Sequence, residues 1–160
     1  MLFNKEIELE NHWRNLLCTT LGVDERFKIL EGKNVADLII CRDGSQPISF
    51  FLELKLYKTK SNRIGIGNKD SNSFQPEIIR KHPEYFEKYL RWIICKDDDK
   101  EDKQYVIVTT SSIKNNYLCG GKLGAKGNKQ NNIRIDIFQK EPLLSETELL
   151  EKLITYLQTT

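Results

Sequence analysis

Ile48-Ser49-Phe50-Phe51-Leu52-Glu53-Leu54-Lys55-Leu56-Tyr57 is an apolar run broken only by Ser49, Glu53 and Lys55. It reads as a strand buried on both faces, because the apolar residues do not alternate with polar ones. Side chains two apart share a face of a strand, so Glu53 and Lys55 emerge side by side. A carboxylate and an ammonium in so apolar a setting each cost several kcal/mol unless paired, hydrated or bound to metal. Upstream, Val35-Ala36-Asp37-Leu38-Ile39-Ile40 is a second such strand with one acid in it. The connection Arg42-Asp43-Gly44-Ser45-Gln46-Pro47 carries an Asp-Gly step and a proline, which predicts a hairpin. A hairpin brings Asp37 beside Glu53. Two acids and a lysine then share one patch, with hard oxygens suited to Mg²⁺ and a cation to steady a water. A plain cross-strand ion pair is the structural alternative.

The other elements are read from periodicity. Leu9, Trp13, Leu16, Leu17 and Leu21 form one stripe and predict a helix from about Asn4 to Leu21, stopped by Gly22. Glu6 and Glu10 fall within that stripe and Glu8 outside it. Phe27–Leu30 is a short strand. Pro76 opens a helix running to about Ile94, kinked or split at His82-Pro83. Gln104–Thr110 and the alternating Ile133–Phe138 are strands, and Ser145 with Glu148 forms a capping box for a final helix carrying Leu149, Leu150, Leu153, Ile154 and Leu157. Trp13 and Trp92 are placed in helices, as core residues. The acidic 97–102 segment is expected to be a solvated loop. The leucine stripe of the last helix suits core better than interface.

At 160 residues the chain predicts one domain, 1–160, without repeat or linker. Its net charge is only +2, but five basic residues and no acid lie from Lys55 to Lys69, and five more with no acid from Lys114 to Arg134. Two local basic segments on a near-neutral chain suit a specific polyanion site. In the first, Lys58, Lys60, Arg63 and Asn68 sit among glycines, which let backbone amides approach phosphate. It is not a Walker loop, since the Gly-Lys-Ser/Thr ending is missing. In the second, Lys122, Lys126 and Lys129 lie in a Gly- and Asn-rich stretch, which composition equally allows to be a plain connection. Cys18, Cys41, Cys95 and Cys119 show no metal-ligand spacing and read as free thiols of a reducing cytoplasm. No apolar run reaches membrane-spanning length and the N-terminus lacks a signal-peptide layout. His12 and His82 are solitary, with no Ser or Cys nearby to make a triad, and histidine-based, metal-free RNA cleavage is disfavoured.

Asp37, a spacer of fifteen residues and Glu53-Leu54-Lys55 resemble the motif of the PD-(D/E)XK nuclease superfamily, which includes most restriction endonucleases. Ala36 stands where the family has proline. The resemblance implies an α/β, restriction-endonuclease-like core, a mixed central β-sheet flanked by helices. It implies Mg²⁺ held by Asp37, Glu53 and the Leu54 carbonyl, with Lys55 orienting the attacking water or, if its pKa is depressed, deprotonating it. A first-helix glutamate often approaches the metal in this family, and Glu10, then Glu6, matches it. Gln75 resembles a polar residue that some members place near the site, although the Gln-x-x-x-Tyr pattern of one branch is absent. The expected activity is metal-dependent hydrolysis of double-stranded DNA by a type II restriction endonuclease. A cutter of both strands at this size would be a homodimer. A structure-specific nuclease of the same fold (a four-way-junction resolvase or repair nickase) and a non-catalytic DNA-binding module are the alternatives.

Overall fold

The computed structural model describes residues 3–32, 35–66, 77–98, 102–123 and 129–160. It is an α/β architecture whose centre is a mixed five-stranded sheet flanked by helices. The sheet is formed by β1 (Phe27–Glu31), β2 (Leu38–Arg42), β3 (Ile48–Lys58), β5 (Leu90–Asp97) and β6 (Gln104–Val108), in the order β1-β2-β3-β5-β6. β1, β2 and β3 form an antiparallel meander, β3 and β5 run parallel, and β6 returns antiparallel to β5. The helical segments α2 (Glu77–Lys81) and α3 (Pro83–Tyr89) lie between the two parallel strands in sequence, as a parallel pair requires a crossover.

The sheet is covered on both faces. On one, α1 (Glu6–Leu21) and α6 (Glu146–Thr159) lay Leu9, Trp13, Leu17, Leu149, Leu153 and Leu157 against Leu38, Ile40, Phe50, Leu52 and Leu54. Trp13 meets Tyr105 edge to face, with ring centroids 5.3 Å apart. On the other face α2 and α3 contribute Ile79 and Phe86, which join Tyr57, Trp92, Ile94 and Val106 in a second core. A smaller sheet, β4-β8-β7, closes that side with β4 (Ile64–Ile66), β7 (Leu118–Leu123) and β8 (Lys129–Ile133). Two cores explain why β3 is apolar at both parities. The leucine stripe of α6 is core, and Ser145 and Glu148 make the expected capping box.

Three expectations are corrected. The helix from Pro76 does not run to Ile94: it breaks at His82, restarts with Pro83 in its first turn, and gives way at Leu90 to β5. Leu90-Arg91-Trp92-Ile93-Ile94-Cys95 is rich in β-branched and aromatic residues and lies between β3 and β6 with both faces covered. Trp92 is therefore a strand residue, its indole N–H donating to Thr110 Oγ1 at 3.1 Å. Ile133–Phe138 is likewise no strand. β8 ends at Ile133, the chain turns through Ile135 and Asp136, and α5 (Ile137–Lys140) follows. Asp136 pairs with Arg134 and Lys140 across that turn, and Phe138 packs on Tyr57 at 5.2 Å. Nor is the whole acidic segment solvated. Asp97 is 1% exposed, and its two oxygens bind Lys58 and Lys103 at 2.7 Å each. Between β6 and β7 the chain forms one helical turn, α4 (Thr110–Ser112), running into a wider π-helical turn, Ile113–Tyr117.

Candidate active site

β3 is eleven residues long and β2 five, and this mismatch builds the site. Their register runs from Arg42 opposite Ile48 to Leu38 opposite Leu52, where β2 begins. Beyond that point β3 keeps β5 on one side and has no β2 residue on the other. Asp37 lies one step before β2, so the register continued by one places it opposite Glu53. Its N–H still donates to the Leu52 carbonyl at 3.1 Å.

Unpaired strand amides must find acceptors, and two acids supply them. The Leu54 N–H donates to Asp37 Oδ2 at 2.7 Å, and the Leu56 N–H to Glu6 Oε2 at 3.2 Å. Carboxylates thus take the place of the missing strand. The N–H and C=O of a strand residue leave on the same side, so the Leu54 carbonyl faces this open edge too. Alternation puts Glu53 and Lys55 together on the face that carries Phe51 and Tyr57, and Lys55 Nζ bonds Glu53 Oε1 at 3.1 Å and Glu6 Oε1 at 3.0 Å. Lys55 is held from two sides and almost fully buried, with 11% of its side chain exposed.

The loop that delivers Asp37 depends on a close backbone contact. The Gly32 N–H donates to the Asp37 carbonyl at 2.8 Å, and a Cβ on Gly32 would lie 1.6 Å from the Ala36 oxygen. Only glycine fits there.

The charges explain one another. Burial pushes the Glu53 carboxyl up to about 7, opposed by the Lys55 ammonium and reinforced by Asp37. Burial also raises Asp37, although the Leu54 amide and Lys55 pull it back. Glu10 rises to about 7, through burial first and then the charges of Asp37 and Glu6. For Lys55, burial disfavours the charge, but Glu53, Glu6 and Asp37 outweigh it and hold the ammonium above the ordinary lysine value. Lys55 is consequently a cation. The depressed pKa that would have made it a base is not found.

Asp37, Glu53 and Lys55 lie within electrostatic reach of one another, and Glu10 lies within reach of Asp37, Glu6 and Lys55. Glu6, the second choice on α1, is the acid that touches Lys55. The sequence placed both in the core-facing stripe, and the resemblance ranked Glu10 before Glu6. Among the described residues no three His, Cys, Asp or Glu side chains form a metal-ligand group. The donors on this edge are the Asp37 and Glu53 carboxylates, within electrostatic reach of each other, and the Leu54 carbonyl: hard oxygens, with the carboxyls pushed toward protonation. This suits a hard divalent cation that keeps several waters.

The two basic segments meet in the small sheet. Ile64 pairs with Ile133, Gly65 with Asn132 and Ile66 with Asn131, which joins the strand after β3 to the β7–β8 hairpin. Lys60 is exposed and Arg63 half-buried beside it. Lys58 is committed in part to Asp97 at 2.7 Å. Asn68, Gln75 and Lys126 lie outside the described residues, as do the side chains of Lys122 and Lys129. His12 pairs with Glu146 at 2.8 Å, between α1 and α6 and away from this edge. Among the described residues no helix is long and apolar enough to cross a membrane. No family model, no curated protein and no solved structure matches the chain.

Proposed function

We propose that the chain is a Mg²⁺-dependent DNA endonuclease of the PD-(D/E)XK type, acting as a type II restriction enzyme. The observation that carries this reading is the meeting of Asp37, Glu53 and Lys55 at the unpaired edge of β3, with Lys55 locked as a cation between Glu53 and Glu6. The order helix, three-strand meander, helix, parallel strand supports a restriction-endonuclease-like core, because that core places its motif on such a meander.

Asp37, Glu53 and the Leu54 carbonyl would hold Mg²⁺. When bound it supplies a water of lowered pKa and neutralises charge on the phosphoryl oxygens. Lys55, with two of its three N–H donors on Glu53 and Glu6, would direct the third at the attacking water or the developing phosphate charge, a role that needs an ammonium rather than an amine. Glu6 keeps that ammonium in place. Glu10, whose carboxyl exchanges its proton near neutral pH, offers an acceptor next to Asp37. The small sheet pairs Ile64–Ile66 of the first basic segment with Asn131–Ile133 of the second, which supports a polyanionic substrate, double-stranded DNA. A homodimer is proposed because one site cuts one strand.

The test is cleavage of plasmid and phage DNA by the purified chain, in Mg²⁺ or EDTA, with Glu53→Ala and Lys55→Ala alongside. Discrete metal-dependent fragments, lost in both variants, are expected. Cleavage confined to four-way junctions would favour the structure-specific alternative. DNA binding without cleavage of any substrate would favour a binding module, and would sink the catalytic reading.

A further inference from the structure

Glu6, Glu10 and Arg14 follow one another at intervals of four residues on α1 and so share one ridge, each about 6 Å further along the axis. The ridge runs from the open edge of β3, past Asp37 at the start of β2, to the end of β1. Glu6 meets Lys55 and Leu56, and Glu10 faces Asp37. One turn on, an Arg14 Nη is ion-paired with Glu31 at the end of β1, and the other donates to Asn11 Oδ1 at 3.0 Å. A cleft of about 200 Å³ joins the Glu10–Asp37 level to the Arg14–Glu31 level, with Asn11 and Gly32 in its wall. Among the described residues that line it, Arg14 is the cation.

We infer that Arg14 is a substrate-binding residue, whose guanidinium receives the backbone phosphate neighbouring the scissile one, and that Glu31 is the counter-ion this phosphate displaces. The inference rests on the nuclease reading and adds to it the direction in which the strand leaves the site. Guanidinium has five donors in a planar fork. Glu31 and Asn11 occupy part of that fork, and the Arg14 side chain is 31% exposed. The Glu31 side chain is 62% exposed, and an ion pair so open to water is held weakly. A phosphate presents the same kind of oxygens with better charge-assisted geometry and fixes the register of the duplex. Until then Asn11 and Glu31 keep the fork ordered beside Asp37.

The reading gives the two partners opposite effects, which a purely structural ion pair does not. The full chain is titrated, with Ca²⁺ replacing Mg²⁺, against the duplex fragments that the cleavage assay identifies as substrate, at several salt concentrations. Arg14→Ala should weaken binding about tenfold and reduce the slope of log affinity against log salt by about one. Arg14→Lys should restore part of the affinity, and Glu31→Gln should tighten binding. Thermal melts check that the variants fold, as a surface pair of this kind predicts. Unchanged affinity and slope in Arg14→Ala, or weakened binding in Glu31→Gln, would overturn the inference while leaving the nuclease reading intact. A wild-type chain that neither cuts nor binds DNA removes both, and that result is seen before any variant is made.

Discussion

Glu53→Gln should make the protein more stable at pH 8 and no more stable at pH 4. Burial, with Asp37 beside it, lifts the Glu53 carboxyl from 4.5 to about 7 in the folded chain. The native state therefore binds the proton more tightly than the unfolded chain, and stability falls as pH rises from 4.5 to 7. The penalty is absent below the unfolded value and complete above the folded one. Taken alone, that shift corresponds to about 3 kcal/mol. Asp37 rises for the same reason and shares the same region, so a gap of about 2 kcal/mol between variant and wild type is expected at pH 8, or a Tm difference of about 4–8 °C. Glutamine keeps an acceptor for the Lys55 ammonium, and Glu6 remains as its charged partner. The assay is thermal unfolding of both proteins in EDTA at intervals from pH 4 to pH 8.5. With Mg²⁺ added the gap should shrink, because the cation stabilises only the protein that binds it. A gap of constant size across the whole range, or a variant less stable at pH 8, would refute the account of the charge cluster.

Three further outcomes follow from particular contacts. Glu6→Gln should keep the fold but release one of the two anchors of Lys55 and lower DNA cleavage by about 10- to 100-fold; full activity in a steady-state assay would mean that Glu53 alone positions the lysine. Gly32→Ala should force the backbone at Ala36 and Asp37 apart, since its Cβ would lie 1.6 Å from a carbonyl oxygen, and Mg²⁺-dependent thermal stabilisation should be lost with activity; a variant still stabilised by Mg²⁺ would show that the loop can yield. Asp97→Ala removes the buried carboxylate that binds both Lys58 and Lys103 and should cost about 3–5 kcal/mol in urea unfolding. A loss below 1 kcal/mol would mean that both lysines reach solvent.

Local pattern made much of the fold legible. α1, β1, β3, β6 and the capped α6 follow from periodicity and end signals. The hairpin follows from Asp43-Gly44, and the break at His82 from Pro83. The pattern failed where one period imitates another. Leu90–Cys95 continues a plausible helix in sequence and becomes a strand only because β3 and β6 stand on either side of it. Ile133, Ile135 and Ile137 alternate as a strand would, yet after Ile133, where β8 ends, the charges around Asp136 and the docking of Phe138 fold the chain into a turn and a helix.

The sequence by itself pointed to the candidate chemistry: two acids separated by fifteen residues across a turn, and a lysine two residues after the second, in stretches too apolar to hold them idly. It also placed Glu6 and Glu10 on the inner stripe of α1. Tertiary structure decided the rest, since charge and hydrogen bonding depend on neighbours distant in the chain. β2 starts one residue after Asp37, so the Leu54 and Leu56 amides take carboxylates in place of a strand. Three acids gather around Lys55 and keep it an ammonium despite its burial. Asp97 is drawn out of an acidic run into the interior by two lysines that lie thirty-nine residues before it and six after it.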